Sequence, residues 1–134
     1  MMYSGGIQTY RTNHILTADP RRLIILCYEG AIDQLMIAKK KYLAKDYEGK
    51  SKALSKAQDF ITELLCSLNL EQGGVIAKNL KALYNYMLTR LLQGDLARDL
   101  NAYEEVIGML KDLKGAWESL SDLQSSERRR AAAG

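Results

Sequence analysis

An antiparallel four-helix bundle of the all-α class, with an N-terminal leader packed on it, is the fold this chain predicts, and three observations predict it. Only one proline occurs in 134 residues, at position 20. Strong helix formers fill almost everything that follows. Turn and cap residues then divide the chain into four amphipathic pieces, joined by connections so short that antiparallel neighbours are favoured. A chain of this length buries a real core without metals or disulfides, as one domain.

The first helix is predicted to start at Asp19–Pro20. Aspartate is a good N-cap, and proline suits the first helical position because its missing N–H would be unbonded there anyway. Ile24, Tyr28, Ala31, Leu35, Ala38 and Tyr42 recur at steps of four and three, the spacing of a bundle seam. Lys39, Lys40, Lys41 and Lys45 crowd the end, where cations meet the negative end of the helix dipole. Asp46 caps a second helix with its seam on Leu54, Ala57, Ile61, Leu64 and Leu68, and "NLEQGG" is expected to break it. A third helix, from roughly Gly74 to Gln93, carries Ile76, Leu80, Leu83, Met87 and Leu91 on its core face, widened by Tyr84, Leu88 and Ala77, with Gly94 as the stop. The fourth starts between Asp95 and Asp99 and shows Leu100, Tyr103, Ile107, Leu110, Leu113, Trp117 and Leu120. The domain plan is thus a leader over residues 1–18, a bundle over 19–123 and a mobile tail over 124–134.

Composition excludes more than it assigns. The net charge of +3 comes from mixed signs along the chain, not from one basic block, which argues against a nucleic-acid binder. No signal-peptide pattern and no long apolar run is present, so the chain is expected to be cytoplasmic, with no membrane insertion. Cys27 and Cys66 are too few for a disulfide framework and read as small buried residues in a reducing compartment. One histidine, His14, cannot support the Glu-x-x-His repeats of a di-iron bundle, and nucleophilic catalysis would hang on that single imidazole. Gly73–Gly74 lacks the spacing and the lysine of a phosphate loop. Asp59, Glu63, Glu104 and Glu105 all fall on predicted wet faces. The chain is read as no enzyme, with no cofactor and no metal.

What stands out is surplus apolar surface. Leu23 to Tyr28 are six consecutive apolar residues, which at a hundred degrees each circle the helix, although a bundle covers little more than half of it. The leader carries Ile7, Tyr10, Ile15 and Leu16 in an otherwise loop-like segment. Either the leader covers the girdle or a partner does. From the residues alone, a helical adaptor or homodimer stays open.

Longer stretches carry a resemblance. "TADPRRLIILCYEGAI", "KDYEGKSKALSKAQDFITELLCSLNLEQGGVIAKNLKALYNYMLTRLL" and "EEVIGMLKDLKGAWESL" resemble the FliS family of flagellar secretion chaperones, in order and over about residues 3 to 121. The family pattern falls on Thr17–Ala18–Asp19–Pro20, Tyr28–Glu29–Gly30–Ala31, Lys56–Ala57–Gln58, Ile61–Thr62–Glu63–Leu64, the run Leu83 to Met87, Arg90–Leu91 and Trp117. Arg21 and Arg22 depart from it, since the family often has an acidic or polar residue after the proline. The resemblance implies a non-enzymatic cytoplasmic chaperone whose partners are the C-terminal segment of flagellin and the flagellar export gate. It also leads us to expect flagellin contacts at Ile7, Tyr10, Ile25, Tyr28, Tyr84 and Tyr86. A disordered client wrapping a small protein needs a long apolar track, which gives the surplus a purpose.

Overall fold

Pro20 opens the first helix, α1 (Pro20–Leu43), at the position predicted. The computed structural model describes residues 20–133; the leader, with Ile7, Tyr10 and the expected cap Asp19, lies outside the described residues. Three helices follow: α2 (Tyr47–Cys66), α3 (Leu70–Ala97) and α4 (Asn101–Ala133), and among the described residues there is no strand.

The α1–α2 turn forms as the sequence asks. Lys45 takes a left-handed conformation at φ 61°, and the Asp46 carboxylate accepts a hydrogen bond of 2.9 Å from the Gly49 N–H. That bond, helped by Lys41, holds the Asp46 carboxyl below the usual aspartate range. The next connection differs from expectation. "NLEQGG" begins α3 instead of merely ending α2: Asn69 accepts from the Gln72 N–H at 3.1 Å as an N-cap. A kink follows at Gly74, at φ 55° and ψ −134°, a conformation open essentially to glycine alone.

Gly94 is also not the stop that was expected. The helix runs on to Ala97 and ends at Arg98, which is left-handed at φ 56°. Gly94 is buried inside the helix, where a Cβ would strike the Cβ of Ala102, so this glycine serves the close approach of α3 to α4. At the other end of the chain, α4 continues through the segment expected to be a mobile tail, with residues 125–133 exposed. Glutamate, arginine and alanine extend a helix that is already nucleated, and extension needs no packed face.

The core holds Tyr28, Leu35, Phe60, Ile61, Leu64, Tyr84, Met87, Leu91, Val106 and Leu110. Most of the predicted α1 and α2 seams are buried, but Ile24 and Tyr42 are only partly so, Leu68 lies beyond the end of α2, and Phe60 joins the core. In α3 the stripe is turned: Ala77, Tyr84, Met87 and Leu91 are buried, while Ile76 and Leu83 face outward. Val106 is fully buried and Leu120 exposed, so the α4 stripe is shorter than expected. Cys66 is exposed because α2 ends there, and Glu63, expected on a wet face, is buried.

Polar ties fix the helix order. Lys50 meets Asp95 at 2.6 Å, and the Tyr103 hydroxyl donates to the same carboxylate oxygen at 3.3 Å, joining α2, α3 and α4. Lys39 pairs with Glu104 at 2.6 Å and Lys114 with Glu29 at 3.7 Å, which sets α1 and α4 antiparallel.

α1 and α2 come close at Gly30, where a Cβ would stand 2.5 Å from the tip of the Phe60 ring. Gly30→Ala is therefore expected to lower unfolding stability in urea by about 1–3 kcal/mol through overpacking. Gly115→Ala, where a Cβ meets nothing within 4 Å, should leave it equal or slightly higher.

Candidate functional site

Two features of α3 build the candidate site. The Gly74 kink redirects the start of the helix, and the turned stripe leaves Val75 and Ile76 at 72% and 73% exposure. Leu83 and Tyr86 are exposed further along the same helix, and Leu92 and Leu96 on another side of it, with Lys78, Asn79, Lys81 and Asn85 among the exposed polar residues. Beside Ile76 a groove of about 330 Å³ opens between the ends of α2 and α3, with Ile24 and Trp117 completing its wall. Leu64, Leu68, Ala77, Leu80 and Tyr84 line it, with the polar ends of Ser67, Asn69 and Gln72 at one rim.

Beneath the groove lies a polar node inside the core. The Tyr28 and Tyr84 hydroxyls form a short hydrogen bond with each other, and the Trp117 indole N–H donates to the Tyr28 oxygen at 3.1 Å. Burial pushes both tyrosines above the ordinary value near 10. They stay protonated at neutral pH and bind as hydrogen-bonding apolar bodies, not as acids or bases. On the surface of the α3–α4 seam, Tyr86 donates to Glu105, and Arg90 bridges Glu105 at 2.9 Å and Asp99 at 3.3 Å. These hydrogen bonds, that of Tyr86 first, hold the Glu105 carboxyl below the usual range.

The residues singled out from the sequence fall into three groups. Ile7 and Tyr10 lie outside the described residues. Ile25, Tyr28 and Tyr84 are buried, at 5%, 0% and 1% exposure, with Tyr84 also forming part of the groove floor. Tyr86 is exposed, at 46%. No residue of the girdle Leu23–Tyr28 is fully exposed, and Ile25 and Leu26 are buried outside the main core cluster. Sequence reasoning missed Val75, Leu92 and Leu96, and it placed Ile76 in the core. The available signal was the breadth of apolar residues on α3, more than one stripe could bury. Among the described residues no group of three or more His, Cys, Asp or Glu side chains could hold a metal, and no helix is long and apolar enough to cross a membrane.

With this geometry in view, residues 3–124 match the family model described as Flagellar protein FliS. The chain belongs to the FliS family. Among similar proteins, the flagellar secretion chaperone FliS of Salmonella typhimurium is 37% identical over 97% of this chain and 100% of that protein. Proteins of the same name from Bacillus subtilis and Vibrio cholerae are 31% and 30% identical, covering 96% and 87% of this chain and 95% and 88% of their own lengths. Half of the described residues in the motifs that carried the FliS resemblance are buried. Tyr28 and Trp117 make the polar node, Gly30 admits Phe60, and Ala57, Ile61 and Leu64 fill the core.

Tyr28→Phe strips the Trp117 N–H of its acceptor and the Tyr84 hydroxyl of its partner, so it should lower stability by about 1–3 kcal/mol in denaturant titrations. The raised tyrosines also set a pH dependence. The unfolded chain loses their protons from about pH 10 while the folded chain keeps them, so stability is full below that pH and falls above it. Thermal melts from pH 8 upward check the sign: a melting temperature that rises above pH 10 would contradict it.

Proposed function

We propose that this chain is a cytoplasmic export chaperone that holds the C-terminal segment of flagellin, prevents its premature polymerisation and delivers it to the flagellar type III export apparatus. The observation that carries this reading is the exposed apolar pair Val75 and Ile76 at the start of α3, with Ile76 itself lining the groove formed with Ile24, Tyr84 and Trp117. Each large apolar side chain left in water forgoes roughly 1.5–3 kcal/mol, so this pair favours a covering partner. An open groove beside it suits a segment that is disordered when free and orders on binding. Membership of a family whose relatives are named flagellar secretion chaperones supplies the class of client.

In this reading Ile7, Tyr10, Ile25, Tyr28, Tyr84 and Tyr86 serve the client together with Val75 and Ile76. Val75, Ile76 and Tyr86 meet it at the surface, and Tyr28 and Tyr84 form the firm floor under it. The leader lies over the start of α1 in the free protein and gives way when the client binds. The role needs no catalysis and no cofactor, because binding alone keeps the segment from assembling.

Co-purification with a flagellin C-terminal peptide tests the reading, with light scattering to show a one-to-one complex. Val75→Asp combined with Ile76→Asp should weaken that complex at least about tenfold, equivalent to 1.4 kcal/mol, without lowering the melting temperature. Full-strength binding by this variant would remove α3 from the client surface. Deleting residues 1–16 should change flagellin affinity or thermal stability; no change in either would remove the leader from the mechanism.

A further inference from the structure

A second groove lies on another edge of the bundle. It has a volume of about 570 Å³ and runs between the later half of α1 and the first half of α4. Met36, Ile37, Leu43 and Ile107 form its floor, and the first three are 50%, 41% and 64% exposed. Roughly 20 Å of helix separates Ile37 from Ile24, so this groove is distinct from the one beside Trp117.

We propose that this α1–α4 groove docks an acidic amphipathic helix of a second protein partner, at the same time as the client occupies α3. The charge around the floor selects the occupant. Lys39 and Glu104 neutralise each other at 2.6 Å, whereas Lys40 on α1 and Lys111 on α4 are exposed and make no ion pair among the described residues, although Glu29, Asp33 and Glu118 line a neighbouring groove with Lys111. Two unpaired lysines, one on each helix, thus flank an apolar floor. A helix whose leucine stripe is bordered on both sides by Asp or Glu is the complementary object. The valley between two packed helices also has the shape that takes a third.

Gly108 points the same way. It lies in the middle of α4, in the groove wall, and a Cβ there would meet nothing within 4 Å. Glycine in a helix interior is destabilising relative to alanine, and here no neighbour within the described chain requires it. What it leaves is room for another backbone to come close. The chain's own residues 1–19 do not suit the groove, because they contain one acid, Asp19, against Arg11.

The test uses the full chain and a fluorescently labelled synthetic helix with leucines at i, i+4 and i+7 bordered by glutamates, read by anisotropy. The glutamate peptide should bind, and more weakly as salt rises, while a peptide with lysines in their place should not. Lys40→Glu with Lys111→Glu should cut affinity at least about tenfold and let the lysine peptide bind instead. Gly108→Leu should abolish binding by filling the groove. All three positions are exposed, and circular dichroism confirms that the variants keep their helices. A flagellin C-terminal peptide, measured separately, should neither be displaced by the acidic helix nor displace it. Equal binding of both synthetic peptides, binding that survives Gly108→Leu, or displacement by the flagellin peptide would overturn the proposal. So would a dimer in light scattering that Gly108→Leu converts to monomer, since the occupant would then be a second copy.

Discussion

The hydroxyl oxygen of Tyr28 is the point at which α1, α3 and α4 are held to one another. It accepts from the partly buried Trp117 indole and shares a buried hydrogen bond with the Tyr84 hydroxyl. Bonds of this kind are modest when made and expensive when one partner is missing, so they discriminate against alternative packings more than they add stability. The remaining helix, α2, is located differently. Phe60 seats against Gly30, and only a residue without a side chain lets the ring come that near. Between them these two contacts, made two residues apart on α1 at Tyr28 and Gly30, determine where the other three helices stand.

Much of that frame was legible in the sequence because its signals are local. Asp46 and Pro20 mark helix starts through their own hydrogen-bonding and dihedral chemistry, and the four-three spacing of the α1 and α2 seams needs no knowledge of neighbours. The errors occur where glycine has two readings. Gly94 looks like a terminator by propensity, yet its reason is a crossing helix contributed by Ala102, which no local rule contains. "QGG" looks like a break, yet the chain absorbs it as a kink at Gly74 once Asn69 has capped the helix ahead of it.

The candidate site was less legible for a related reason. An apolar residue on α3 reads alike whether it faces the core or a partner, so Ile76 was grouped with Met87 and Leu91. Tyrosine is ambiguous in the opposite direction. Its amphipathic character suggests an interface, but the Tyr28 and Tyr84 hydroxyls find each other and Trp117, and so both residues lie within the core. Exposure is a property of the assembled helices, and the kink angle at Gly74 decides it for Val75 and Ile76.

A chaperone that must present apolar surface to water meets a conflict with its own stability, because the side chains offered to a client are withdrawn from its core. The division among the helices answers that conflict. α1 and α2 pack most intimately, with Tyr28, Leu35, Phe60 and Ile61 almost wholly buried, and they retain the bundle's cohesion. α3 contributes a narrow inner stripe of Ala77, Tyr84, Met87 and Leu91 and turns Val75, Ile76, Leu92 and Leu96 outward. Polar ties from Lys50 to Asp95 and from Arg90 to Glu105 hold that helix in place without consuming its apolar face. An outward face fastened this way can exchange coverings, bare or client-bound, while the core beneath it stays the same.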